Sequence, residues 1–234
     1  MNWRKETPLN EENAALAGIM QVLRRGTAQI YNKEEDGIFL RDTQSGAYML
    51  CTEDIEKGKF WLRQHEAAHY ELMELWQKEL AEYCRSRYGF GTVMECRQAV
   101  WLQQEEPDKA QGDLIITEPS AKELDIIADT YKRLEKEEIM QIHALHNLYA
   151  GRTQDQKMAG FIGMHTEGSI GLLEVFPEQR RHGYGLDLER FMIRKVRSQK
   201  LIPYGQIEVW NETSMNLQRK IGMTITEESI YWLF

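Results

Sequence analysis

Glu174-Val175-Phe176-Pro177-Glu178-Gln179-Arg180-Arg181-His182-Gly183-Tyr184-Gly185 follows an apolar run, Ile170 to Val175, and opens a helically periodic segment, Tyr184 to Lys200. A strand, a polar glycine-containing loop and a helix in that order aim several backbone N–H groups, and the positive end of a helix dipole, at one place. Such a place binds phosphate. Gly183 and Gly185 admit close approach of an anion and tolerate positive φ. Arg180 and Arg181 add positive charge beside it. The spacing is Arg-x-x-Gly-x-Gly, neither the Gly-x-Gly-x-x-Gly of a dinucleotide site nor a Lys-containing P-loop. Taken alone, so short a pattern is equally an ordinary strand-to-helix turn.

Outward from this stretch the pattern alternates. Upstream lie strands at Leu114 to Thr117, Leu148 to Thr153, Lys157 to His165 and Ser169 to Val175. Ser120 with Glu123 forms a capping box for one helix, and a second helical stretch spans Leu134 to His146. Downstream come a strand at Gln206 to Trp210, a helix at Thr213 to Ile221 and a strand at Ser229 to Phe234. Residues 106–112, polar with Pro107 and Gly112, read as a linker between a unit at 1–105 and a unit at 113–234. In the first unit the pattern predicts a helix from Asn10 to Arg25 and a hairpin of Gly37 to Arg41 with Ala47 to Cys51. A long helix from about Lys59 to Arg87 and a strand from Thr92 to Leu102 complete it. No internal repeat is evident. The fold class expected is α+β, a mixed, mostly antiparallel twisted sheet flanked by helices, with a smaller α+β N-terminal domain.

The stretch from Val175 to Gly185 resembles the pyrophosphate-binding motif of the GNAT acetyltransferases, a Val-x-Pro-Glu-x-Arg-x-x-Gly-x-Gly run joining a strand to a helix. Gln206-Ile207-Glu208-Val209-Trp210-Asn211, with Ser214, Leu217 and Lys220-Ile221-Gly222-Met223, is similar to the second motif of that family. The resemblance covers about Asp113 to Phe234. The order of elements in the N-terminal unit is also similar to part of that fold without the phosphate loop, so that unit reads as a degenerate copy or a substrate-recognition domain. The resemblance implies direct transfer of an acetyl group from acetyl-CoA to a primary amine, on a small molecule or on a peptide N-terminus or lysine, with no metal. The alternative is a non-catalytic, acyl-CoA-binding or regulatory module. Carried over, Leu173 and Val175 pair with the pantetheine arm, and the Val175 N–H polarises the thioester carbonyl. Arg180, Arg181, His182, Gly183, Tyr184 and Gly185 hold the pyrophosphate, and Asn211 lies near the pantetheine as both a binding and a catalytic residue. Attack by an ammonium needs a base, and Glu174, on the opposite strand face from Leu173 and Val175, is the first choice, with His165 second. The family's usual proton donor, a Tyr one residue after the position of Leu217, is replaced by Gln218; either water or another group, Tyr231 or Tyr184, protonates the thiolate, or its release needs little help.

Other signals weigh less. His65-Glu66-Ala67-Ala68-His69 fits a zinc-hydrolase pattern if it lies on a helix, but structural histidines are the favoured reading and no metal is expected. The run Arg133 to Glu138 reads as a solvated helix face. Net charge is −8 over 234 residues, and the part from residue 113 carries 15 basic and 18 acidic side chains. With no basic stripe, nucleic acid is not an expected partner. Cys51, Cys84 and Cys96 form no paired spacing. The charged N-terminus and the lack of an apolar run of spanning length lead us to expect a cytoplasmic protein with no membrane partner, and a homodimer is left open.

Overall fold

A computed structural model describes residues 9–10, 12–66, 69–108 and 114–234. The strands are β1 (Ala28–Glu34), β2 (Gly37–Asp42), β3 (Tyr48–Thr52), β4 (Met73–Leu75), β5 (Val93–Val100), β6 (Ile115–Thr117), β7 (Leu148–Arg152), β8 (Met158–Met164), β9 (Ile170–Val175), β10 (Tyr204–Glu208) and β11 (Thr224–Leu233). The helices are α1 (Ala17–Arg25), α2 (Ile55–Gln64), α3 (Lys78–Tyr88), α4 (Ala121–Thr130), α5 (Lys136–Ala144), α6 (Tyr184–Ser198) and α7 (Glu212–Ile221). All strands join one sheet in the order β1-β2-β3-β4-β11-β5-β10-β9-β8-β7-β6. Only the β3/β4 and β9/β10 pairs are parallel among these elements. The expected α+β class, mostly antiparallel, is the one observed.

The topology repeats. Three antiparallel strands (β1–β3), a helix (α2), a parallel strand (β4), a helix (α3) and a last strand (β5) are followed by the same series in β7–β9, α6, β10, α7 and β11. The last strands are exchanged. β5 sits between β10 and β11, whereas β11 sits between β4 and β5. Chemistry echoes the topology: Glu74-Leu75-Trp76-Gln77 recurs as Glu208-Val209-Trp210-Asn211, and Arg87-Tyr88-Gly89-Phe90 as Lys220-Ile221-Gly222-Met223. Gly89 (φ 78°) and Gly222 (φ 96°) both close their helices in the left-handed conformation. A repeat is therefore present, hidden from inspection by divergence at almost every other position.

Side-chain alternation assigns the faces. On β5, Cys96 and Val100 join the core under α1, while Ala99 joins the core under α6 and α7. On β11, Ile230 and Trp232 face α1, and Tyr231 and Leu233 face α2 and α3. Phe161 on β8 faces α4 and α5, opposite Ile162. So α1, α4 and α5 cover one face, and α2, α3, α6 and α7 the other. A buried polar bridge crosses the middle of the sheet: Gln206 Nε2 donates to Glu74 Oε1 (2.8 Å), and Trp232 Nε1 donates to Gln206 Oε1 (2.7 Å). Burial pushes the Glu74 carboxyl well above its ordinary value.

The structure departs from the sequence-based expectations at several elements. The long helix from Lys59 to Arg87 is two helices around a strand. α2 ends at Gln64, and β4 is buried on both faces, so its apolar run carries no period to tell strand from helix. β1 escaped notice because it is an edge strand with no buried alternation. β11 begins five residues earlier than expected, at Thr224, with an irregularity in its pairing to β5 between Ile225 and Ser229. The expected boundary at 106–112 falls between β5 and β6, but the sheet runs through both halves.

Because each half completes the other's sheet, cutting the chain between Glu105 and Glu106 should give fragments that co-purify and melt in a single calorimetric transition. Two separate transitions, or a natively folded C-terminal fragment on its own, would show that the strand exchange is dispensable.

Candidate functional site

The predicted strand, loop and helix are β9, a turn over Phe176 to Gly183, and α6. Pro177–Gln179 forms one 3-10 turn. The chain then reverses through Arg181 (φ 69°) and Gly183 (φ 83°), both left-handed. A Cβ at Gly183 would meet no atom within 4 Å, so glycine is required there by conformation and not by crowding. α6 starts on Gly183 without a side-chain cap, in contrast to Asp54 on α2, Asn211 on α7 and the capping boxes of α4 and α5. The Tyr184 and Gly185 amides have no acceptor within the helix, whereas those of Leu186 and Asp187 donate to the Gly183 carbonyl (3.0 and 3.2 Å). A Cβ at Gly185 would lie 3.7 Å from Val175 Cγ2 and 3.9 Å from Leu217 Cδ1, so the ends of β9, α6 and α7 converge here. His182 stacks on Tyr184 with ring centroids 5.4 Å apart, and Arg181 flanks the same opening with no ion pair among the described residues.

Beside this helix start the sheet opens. β9 and β10 pair at one position, Gly205 with Ile170, and then diverge. Gly205 permits that approach, because a Cβ there would lie 3.0 Å from the Ile170 carbonyl oxygen. Beyond this apex β9 is paired only with β8, and Gln206 to Glu208 only with β5. The facing edges of β9 and β10 thus bound a wedge that widens toward Val175. A β-bulge shapes one wall: Phe161 pairs with Glu174 and Gly163 with Gly171, two steps on β8 against three on β9. Leu172 carries the bulge at φ 51°, a left-handed conformation that costs a branched side chain about 1–2 kcal/mol.

Leu173 and Val175 point toward α6 and α7, and Leu172 and Phe176 toward α4 and α5. Glu174 shares the second face, as its place in the alternation predicts. Its Oε1 accepts from Arg180 Nη2 (3.1 Å), while Arg180 Nε donates to the Val175 carbonyl (3.0 Å). Across the wedge, Glu208 of β10 accepts from Arg133 Nη1 in the α4–α5 connection and from Trp210 Nε1 (2.8 Å). Tyr131 ends α4, packs edge-on against Phe161 at 6.2 Å, and lies near Glu174 and Glu208. Sequence alone assigns Tyr131, Arg133 and Glu208 no role of their own at the site. Arg133 is not part of a solvated helix face: it precedes α5 and bridges to a residue on another strand, a relation with no local signal.

Other expected residues fall elsewhere. Asn211 stands at the mouth of the wedge, with its Oδ1 accepting from Ser214 N (3.1 Å) to cap α7. Gln218 is buried and donates from Nε2 to Glu189 Oε1 of α6 (2.7 Å), so it faces the helix interface. Tyr231 belongs to the core under α2 and α3, two strands from the wedge. His165 packs against Gly171 at the closed end of the β8–β9 hairpin. Of the zinc pattern, Ala67 and Ala68 lie outside the described residues. His65 caps the end of α2 and His69 has φ 49°, so no helix carries the two rings on one face. In the N-terminal repeat the counterpart of the loop is only Glu53 and Asp54, and Asp54 itself accepts from Lys57 N (3.1 Å). An acidic, self-capped helix start repels an anion, and the uncapped start of α6 carries no such carboxylate.

The sequence of residues 148–233 matches the family model of FR47-like proteins. The fold resembles a Drosophila protein of known structure (15% identity, 96% of this chain and 89% of that one, TM-score 0.65). It also resembles a GCN5-related N-acetyltransferase-like protein from Streptococcus suis (13% identity, 91% and 90% covered, TM-score 0.51). A GCN5-related N-acetyltransferase from Kribbella flavida is similar too (10% identity, 97% and 95% covered, TM-score 0.53). No curated protein matches the chain in sequence. The chain has the GNAT superfamily fold, and the FR47-like match lies on the repeat that carries the wedge and the uncapped helix.

Burial lifts the Glu189 carboxyl from near 4.5 to about 7, against the Gln218 hydrogen bond that favours ionisation. Its contribution to stability is therefore fullest below pH 4.5 and is lost as pH rises toward 7, about 3 kcal/mol across that interval. Glu189→Gln should raise the melting temperature at pH 8 and flatten its pH dependence between 4.5 and 7. An unchanged profile would rule out Glu189 as the titrating group. Gly183→Val forces a branched side chain into the left-handed region. It should weaken coenzyme A binding at least tenfold by calorimetry, whereas parental affinity would contradict the anion site.

Proposed function

We propose that this chain is an acetyl-CoA-dependent N-acetyltransferase that moves an acetyl group by direct transfer to a primary amine, on a small molecule or on a peptide N-terminus or lysine. The observation that carries the reading is the wedge between β9 and β10, opening beside the uncapped start of α6. Free amides at a helix N-terminus suit a pyrophosphate, and two strand edges without partners suit an amide-bearing arm that adds between them like a strand. In this reading the backbone from Arg181 to Gly185 holds the pyrophosphate, with Arg180, Arg181, His182 and Tyr184 around it. The backbone of Leu173 and Val175 pairs with the arm, and the Asn211 Nδ2 is its further donor. A β9 amide polarises the thioester carbonyl, for which Val175 N–H is the first choice.

The donor site opens on the face of α6 and α7, whereas Glu174, Glu208, Arg133 and Tyr131 lie on the other. The wedge is the passage between them. An acceptor amine arriving under the α4–α5 connection meets the acyl group from the side opposite the nucleotide, which keeps the two substrates from competing for space. Glu174 takes the proton of the amine directly or through a water. Arg180 fixes its orientation, and the carboxylate shares that partner when it accepts the proton. Gln218, turned inward onto Glu189, favours the second reading of a chain that binds acyl-CoA without turning it over.

Acetyl-CoA should raise the melting temperature, and free thiol should appear with at least one member of a panel of amino acids, polyamines and peptide N-termini. Binding without thiol release on any amine would select the second reading, and no thermal shift would reject both. Glu174→Gln should lower kcat about 10²-fold or more at near-parental acetyl-CoA affinity. Kinetics equal to the parent would remove Glu174 as the base.

A further inference from the structure

Each repeat carries a tryptophan just beyond its parallel strand, Trp76 after β4 and Trp210 after β10. Trp76 is half-buried. It packs on the core under α1, and its Nε1 donates to the Ala15 carbonyl in the turn that leads into that helix (2.5 Å). Trp210 has no such cover. It is 65% exposed, the most exposed of the large apolar side chains among the described residues. Its indole is nevertheless held in place: Nε1 donates to Glu208 Oε2 (2.8 Å), and Glu208 Oε1 accepts from Arg133 Nη1. One edge of the ring is thus fixed on the α4–α5 side of the sheet, while the rest stays open to solvent.

Register sets this ring beside the wedge. β9 and β10 run parallel from the pairing of Ile170 with Gly205. Val175 lies five residues beyond that apex on one wall, and Trp210 five residues beyond it on the other. Trp210 therefore stands across the mouth of the wedge from the β9 amide assigned to the thioester carbonyl, on the same side of the sheet as Glu174. The charges beside the ring cancel. Glu208 has one oxygen engaged by Arg133 and the other by the indole itself, so it offers a second cation little, and Arg133 repels one. What remains for a ligand is a flat apolar surface. Such a surface gains most from another ring, because paired rings are attracted beyond the area that they bury.

Resting on the acetyltransferase reading above, we propose that Trp210 determines acceptor specificity, and that the acceptor is a primary amine carrying an aromatic ring on a short alkyl arm. The ring stacks on the Trp210 indole, and the arm crosses the mouth of the wedge. The amine then meets the acyl group opposite Val175, with Glu174 on its own side of the sheet. A second ammonium group would instead meet Arg133, and a plain alkyl chain would leave the indole partly wet. In the first repeat the equivalent tryptophan is covered by the chain's own approach to α1; in the second the substrate supplies the cover.

Thiol release from acetyl-CoA should be compared for phenethylamine, butylamine and putrescine in the parent, Trp210→Ala and Trp210→Phe, with acetyl-CoA binding followed by thermal shift. The parent should use phenethylamine about tenfold better in kcat/KM than either aliphatic amine. Trp210→Ala should abolish that preference by raising KM for phenethylamine about tenfold, with kcat, butylamine kinetics and the acetyl-CoA shift near parental. Trp210→Phe should restore most of it. Equal use of the three amines by the parent, or an aromatic preference that survives in Trp210→Ala, overturns the proposal. So does a loss in Trp210→Ala shared by all three amines, which would mark the side chain as structural. An acetyl-CoA shift without turnover of any of the three overturns the proposal and leaves the donor site standing. Absence of the shift in the parent defeats the donor site and the proposal together.

Discussion

The reciprocal exchange of β5 and β11 is the constraint on which the rest of the structure depends. A strand buried in the middle of a sheet needs hydrogen-bond partners on both edges, because unpaired backbone groups away from water are costly. β10 finds its second partner in β5, from the other repeat, and β4 finds its own in β11. The central pair β5/β11 then runs for most of both strands, from Val93 with Leu233 to Val100 with Thr224. Neither repeat has a closed core without the other. The polar bridge of Glu74, Gln206 and Trp232 crosses this seam, and its geometry fixes the register of β4 against β10 through β11.

That anchoring allows β9 and β10 to part. β10 is secured on its far side by β5 and needs β9 at one residue only, while β9 is secured by β8. The two walls are rigid and the gap between them is a consequence of the sheet's twist with no strand to fill it. The two repeats differ where the strand enters its helix. In one repeat the strand-to-helix connection is a long glycine turn that leaves α6 bare; in the other it is a short acidic connection that caps α2 with its own side chain. The sheet differs beside them too: β3 and β4 stay paired from Tyr48 with Met73 to Leu50 with Leu75, whereas β9 and β10 meet only at Ile170 and Gly205.

Much of this was legible in the sequence where the signal is local. The alternation in β7 to β9, the capping box of Ser120 and Glu123, and the Arg-x-x-Gly-x-Gly turn are short-range patterns, and the structure has them where they were read. The long helix failed because Met73, Glu74 and Leu75 are buried on both sides. Buried Glu74 looks like a helix's polar face in sequence. The α4–α5 side of the wedge, Glu174 apart, was invisible for a different reason. Tyr131, Arg133, Glu174 and Glu208 come from three separate segments, and only the fold brings them together. Even the repeat was present in plain letters, as Glu-Leu-Trp-Gln and Glu-Val-Trp-Asn, but it could be recognised only once the two strands were seen in equivalent places.

The exchanged strands also govern how the chain is made. As it leaves the ribosome, the first repeat emerges with β4 and β5 synthesised and the slot between them empty, because Trp232 is the residue that pairs with Glu74. Until that distant segment arrives, two apolar edges stand open to any passing strand, a situation that favours aggregation and chaperone capture. Contacts so far apart in the chain also slow the search for the native state. A protein built this way trades a self-sufficient nascent domain for a seam that, once shut, locks both repeats in a single step.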